Sequence, residues 1–98
     1  MDSVLELISA IKQRPAMYIT HNSISCLKAF LDGWYFRAPN TVGDAEIMGE
    51  FQDWVALKFG IKSTQSWASI LLFYSTDEYS ALQKFFTEFD LFLSERVK

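Results

Sequence analysis

Tyr79, Leu82, Phe85, Phe86, Phe89, Phe92 and Leu93 recur three and four residues apart. On a helix they merge into one broad apolar surface, which a stable chain must cover with other elements. Ser75-x-x-Glu78, just ahead of this run, has the form of a capping box and is the expected start of the helix. The same spacing recurs upstream. Val4, Ile8 and Ile11 share a face flanked by Leu5 and Leu7, behind a second capping box at Ser3-x-x-Glu6. Pro15 closes that segment, because it lacks an amide hydrogen and disfavours helical geometry at Arg14. Met17, Tyr18 and Ile19 form an apolar connector expected to tuck beneath the next helix. That helix is capped by Asn22 or Ser23 and carries Ile24, Leu27, Phe30, Leu31 and Trp34 towards the core.

Pro39-Asn40-Thr41-Val42-Gly43 contains two strong breakers and reads as the longest loop. A third helix is expected from about Asp44 to Phe59, with Ile47, Met48, Phe51, Trp54, Val55 and Phe59 inward and Gly60 ending it. After the polar stretch from Lys62 to Gln65, Ser66 can cap a short helix through Tyr74. Ile70-Leu71-Leu72-Phe73-Tyr74 is also compatible with a buried strand, since a short apolar run lacks a decisive period; helix is the preferred reading. No other segment alternates convincingly. The expectation is an all-α fold, a compact irregular bundle of about five helices, with residues 1–98 forming one domain.

Composition supports a real core. Half of the 98 residues are hydrophobic and 16% aromatic, against 21% charged, the reverse of a disordered chain. A chain of this size can bury about 60 to 65% of its unfolded surface. The single Cys26 cannot form an internal disulfide, and no basic segment followed by an apolar run opens the sequence, so a cytoplasmic location is expected. The longest apolar stretch is far shorter than the roughly 20 residues of a membrane helix, and no membrane partner is expected. Nine basic and twelve acidic residues give a net charge of -3, leaving no positive excess to neutralise phosphates; direct nucleic-acid binding is not expected.

Reactive constellations are scarce. His21 and Cys26 could pair as base and nucleophile, but Cys26 lies beside a core-facing leucine and His21 in a polar turn, so a half-buried thiol and a surface imidazole are the expected states. One histidine and one cysteine fall short of a metal set. No glycine belongs to a phosphate-cradling loop. The chain is therefore expected to be no enzyme, with no catalytic residues, cofactor, metal or small-molecule substrate.

The carboxylates have a different use. Glu46, Glu50 and Asp53 are spaced four and three residues apart, and Asp44 lies just ahead, so they share one side of the third helix. Like charges so placed repel, and a partner bringing Lys or Arg would relieve the repulsion. The competing reading is an ordinary solvated face. Of the large aromatics Trp34, Tyr35, Phe36, Trp54, Trp67 and Tyr74, most fit the core stripes; Phe36 and Leu91 fall towards polar faces and are the expected exposed apolar contacts.

One stretch looks like a signature: Arg14-Pro15-Ala16-Met17-Tyr18-Ile19, followed by Ser23-Ile24, Leu27, Phe30-Leu31 and Gly33-Trp34. An Arg-Pro-small-Met-Tyr-aliphatic segment before a serine-capped helix ending in Gly-Trp resembles small bacterial immunity proteins, including those of contact-dependent growth inhibition and other polymorphic toxin systems. The likeness continues through Phe51-Gln52-Asp53-Trp54-Val55, Gln65-Ser66-Trp67, Phe73-Tyr74-Ser75 and Asp77-Glu78. The resemblance implies an immunity protein that neutralises a cognate toxin domain by forming a stoichiometric complex. The toxin is expected to be basic, a nuclease being the first choice because it must hold phosphates. Arg14 and Tyr18 are expected to serve as scaffold around the Pro-fixed connector. Asp44, Glu46, Glu50, Asp53, Asp77 and Glu78 are the expected partner-binding residues. A helical adaptor or regulatory domain is the alternative.

Overall fold

Ser3 begins the chain's first regular element by accepting a hydrogen bond at its Oγ from the backbone N–H of Glu6, 3.3 Å away, which satisfies one of the donors a helix leaves open at its start. The computed structural model describes residues 3–37 and 46–96, and the expected loop at Pro39–Gly43 lies outside them. Five α-helices follow in order: α1 (Val4–Gln13), α2 (Ile24–Arg37), α3 (Ile47–Lys58), α4 (Trp67–Phe73) and α5 (Glu78–Arg96). A single 3-10 turn, Pro15–Met17, sits between α1 and α2. The fold is all-α, and no strand occurs among the described residues.

Several helix boundaries have a local cause. Arg14 takes φ −141°, ψ 72°, the non-helical geometry imposed on a residue before proline, and Pro15 restarts the chain as the first residue of the 3-10 turn. Ser23 caps α2 by accepting from the N–H of Cys26 at 3.1 Å. Ser66 caps α4 by accepting from the N–H of Ser69 at 3.1 Å. Ile70 to Phe73 therefore continue a helix, resolving the ambiguous apolar run. Helix α3 ends at Gly60, whose φ of +68° lets the chain reverse. The Ile61 N–H then reaches the Ala56 carbonyl at 2.9 Å and the Gly60 N–H that of Leu57 at 3.3 Å, a Schellman closure that requires a left-handed residue.

The start of α5 differs from expectation. Ser75 donates its hydroxyl back to the Leu71 carbonyl at 2.7 Å and forms no cap. Asp77 takes that role, accepting from the Ser80 N–H at 2.7 Å. Glu78, freed from the expected capping box, reaches across to α2.

Helix α5 packs against α2, α3 and α4, and α4 also touches α2 and α3. One cluster of buried side chains draws on all five helices, as a shared core requires. Its aromatic centre is Phe51, fully buried on α3 and ringed by Trp67, Phe85, Phe89 and Phe92 at centroid distances of 5.2 to 5.8 Å. Leu5 and Ile8 of α1 face Phe86, Phe89 and Leu93 of α5 across a cleft, closed at its edge by the Lys12–Asp90 ion pair at 2.7 Å. Gln52 ties α3 to α4: its Oε1 accepts from the Trp67 N–H, an otherwise open donor of the first turn, while its Nε2 donates to the Gln65 carbonyl at 2.9 Å.

Some apolar residues sit farther out than their spacing suggests. Met17 is 66% exposed, so only Ile19 of the connector is buried, with Tyr18 half-buried and edge-on to Phe30 at 6.3 Å. Tyr79 and Tyr74 are also exposed. The Arg14 guanidinium lies 4.0 Å from the Met17 sulfur, within the connector itself.

Candidate functional site

With Ile47, Phe51 and Val55 buried four residues apart, the opposite side of α3 is forced outward. That side carries Glu46, Glu50, Asp53 and Leu57, all exposed. The expected acidic stripe therefore exists on α3 from Glu46 to Asp53, while Asp44 lies outside the described residues. Leu57 extends the stripe by one turn and is 84% exposed.

Helix α5 runs alongside and contributes the other bank. Arg96 donates to Glu50 through Nε and one terminal nitrogen at 2.9 and 3.1 Å, a two-pronged geometry that orients both side chains. The Trp54 indole N–H donates to Glu95 at 3.1 Å. Lys58 pairs with Glu88 and holds its ammonium 5.0 Å from the Trp54 ring centroid, within cation–π reach. Three polar contacts thus line the α3–α5 seam in register. Trp54, Leu57, Lys58 and Glu95 enclose an open groove of about 360 Å³ along it. Leu91 lies on the same helix between Glu88 and Glu95 and is partly exposed.

The seam is electrostatically lopsided. Among the described residues, Glu46, Glu50, Asp53, Glu88 and Glu95 set five carboxylates against the two cations Lys58 and Arg96. The Arg96 hydrogen bonds, with its positive charge behind them, hold the Glu50 carboxyl below its ordinary range, so Glu50 stays charged at neutral pH and in mild acid.

Asp77 and Glu78 lie elsewhere. At 1.5 Å per residue, Glu78 is roughly 26 Å along α5 from Glu95, too far to join the seam. Asp77 is occupied as the cap of α5, and the Ser80 hydrogen bond lowers its carboxyl pKa. Glu78 accepts from the Ser23 hydroxyl at 2.6 Å, the Ser25 N–H at 2.9 Å and the Ser25 hydroxyl at 2.8 Å. These bonds depress its pKa, Ser23 contributing most, and they lock the start of α5 onto the first turn of α2.

That lock has a pH signature. A carboxyl whose folded pKa lies below its unfolded one contributes stability above the unfolded value and loses it as pH falls through the folded one. Glu78→Ala should therefore lower stability at neutral pH by about 1 to 2 kcal/mol, the range for hydrogen bonds to a partly exposed charged group. The difference from the wild type should vanish below the ordinary carboxylate range. Urea unfolding at neutral and successively more acidic pH measures both; a difference that persists unchanged in acid would assign the loss to packing.

The remaining candidates stand apart from the seam. Cys26 is half-buried against the core and His21 is exposed. Among the described residues no three His, Cys, Asp or Glu side chains are grouped as a metal set, and no helix is long and apolar enough to cross a membrane. Phe36 and Leu91 are exposed as their spacing suggests, Phe36 to 88%. Trp34, Tyr35 and Trp54 are partly buried against the core and Trp67 is buried. Leu57 is a residue the sequence expectations pass over; the signal that marks it is its place four residues after Asp53 on the acidic stripe. Phe73 is exposed beside Tyr74, whose ring stacks on Phe59 at 4.9 Å.

Comparison with known proteins finds no matching family model, curated protein or solved structure.

Proposed function

We propose that this chain is an immunity protein: it binds the toxic domain of a co-produced bacterial effector in a stoichiometric, reversible complex and blocks it by occupation. The observation that carries the reading is the α3–α5 seam, where five carboxylates outnumber two cations around the exposed Leu57. The signature from Arg14 to Ile19 supports the same reading through its resemblance to small bacterial immunity proteins. An acidic rim attracts a basic protein over several ångströms and speeds productive encounter. A nuclease is the preferred target because its substrate surface must be basic. The complex forms in the cytoplasm and requires no cofactor, membrane or direct nucleic-acid contact from this chain.

Growth rescue tests the function. Co-expression with candidate toxin domains encoded beside this chain should restore growth for the cognate one, whereas a set of unrelated toxin domains should remain lethal. A helical adaptor would bind its partner without rescuing growth from any toxin. Cys26→Ser and His21→Ala, made separately, should each leave protection intact, since occupation needs no nucleophile. Loss of protection by either variant with an unchanged helical spectrum and unchanged complex affinity would point to a reaction instead.

A further inference from the structure

We infer that the groove between Trp54 and Leu57 seats one aliphatic side chain of a partner segment whose flanking residues are arginine or lysine. For the partner's identity this rests on the immunity reading; for the chemistry of the segment it rests on the groove. Leu57 projects 84% of its surface into solvent from a stripe that is otherwise acidic, and covering it would gain the free energy of apolar burial. The half-buried Trp54 ring forms the adjoining wall, fixed by its N–H bond to Glu95 at 3.1 Å and by Lys58 over its ring at 5.0 Å. Tryptophan is among the side chains that concentrate binding energy at an interface, and the exposed leucine beside it adds apolar area to bury.

Charge selects the occupant. Asp53 stands four residues before Leu57 on the same side of α3, Glu50 one turn earlier, and Glu95 lines the groove from α5, while the Lys58 ammonium in the lining is already paired with Glu88. An apolar side chain entering here brings its neighbours against these carboxylates, so acidic neighbours are repelled and basic ones attracted. A purely apolar partner would desolvate the rim carboxylates, Glu50 and Glu95 with only their Arg96 and Trp54 hydrogen bonds to offset the cost. A purely cationic one would leave Leu57 uncovered. The two requirements together describe a basic segment with a central aliphatic residue.

The probe is a short amidated peptide with one central leucine between arginines, titrated into the isotopically labelled chain and followed by amide and indole NMR shifts. Shifts should cluster at the Trp54 indole, Leu57, Lys58 and Glu95, and weaken with added salt. Replacing the peptide's leucine by serine should cost about tenfold in affinity, as should Leu57→Ser in the protein, because each removes one apolar partner from the same contact. Leu57 is exposed, so its substitution leaves the core untouched. No binding, shifts scattered over the surface, or equal affinity for the leucine and serine peptides would overturn the inference. Growth rescue without a leucine-dependent contact would retain the immunity reading and discard this one; a leucine-dependent contact without rescue would do the reverse.

Discussion

Phe51→Ala should destabilise the chain by about 3 to 5 kcal/mol, the cost of deleting a fully buried aromatic ring and leaving a cavity that relaxes only in part. The position is unusual even within this core. The Phe51 ring meets aromatic rings from α4 and α5 as well as Trp54 of its own helix, so collapse into the void would have to displace several large side chains at once. A domain of this length has only about 5 to 15 kcal/mol in total, and the variant stands to lose a large part of it. Urea unfolding followed by helical circular dichroism measures the loss. Phe86→Ala and Phe89→Ala, at buried positions on α5, should fall in the same range. A loss below about 1 kcal/mol at Phe51 would mean that the aromatic cluster is not the centre of the core.

The second large effect concerns binding. Reversing Glu46, Glu50 and Asp53 together to Lys converts the seam from five carboxylates and two cations into two carboxylates and five cations. Association with a basic toxin should slow by about tenfold or more, with a flatter dependence on salt, if the stripe acts by long-range steering. Should the carboxylates be buried against the partner, dissociation accelerates instead. Glu50→Lys also breaks the Arg96 pair. The Glu46→Lys, Asp53→Lys double variant keeps that pair and separates its effect from the surface charge. All three residues are exposed, so the helical spectrum should change little. Unchanged rates at low salt would reduce the stripe to a solvated face.

The helices were legible because their boundaries are local. Pro15, Ser23, Ser66 and Gly60 each act on amides or carbonyls within a few residues, and each does so here. Ser75 shows the limit of such signals: its hydroxyl had two uses within reach, the next helix or the last carbonyls of α4, and Leu71 won it. Periodicity identified the apolar side of each helix but not how much of that side its neighbours would cover. Tyr79 on α5 consequently sits at the uncovered margin, and in the connector between α1 and α2 Met17 does the same.

The candidate site divides in the same way. The stripe from Glu46 to Asp53 follows from spacing on one helix. Its pairing with α5 does not: Glu50 and Arg96 are 46 residues apart, and Glu78 and Ser23 are 55 apart. Such contacts depend on how the helices cross, which a short-range pattern cannot supply. For that reason the sequence marks Glu78 as half of a capping box with Ser75 and both acids as expected partner contacts, but not the exposed Asp77 as the cap of α5 or Glu78 as its fastening to α2.

If a candidate toxin domain is identified by growth rescue, titrating its activity against increasing amounts of the purified protein tests the proposed inhibition by occupation most directly. Activity should fall in proportion to added protein and reach its floor at one equivalent, then recover when the complex is dissociated in high salt. Full inhibition at a small fraction of an equivalent, or activity unchanged at a large excess, would contradict binding by occupation.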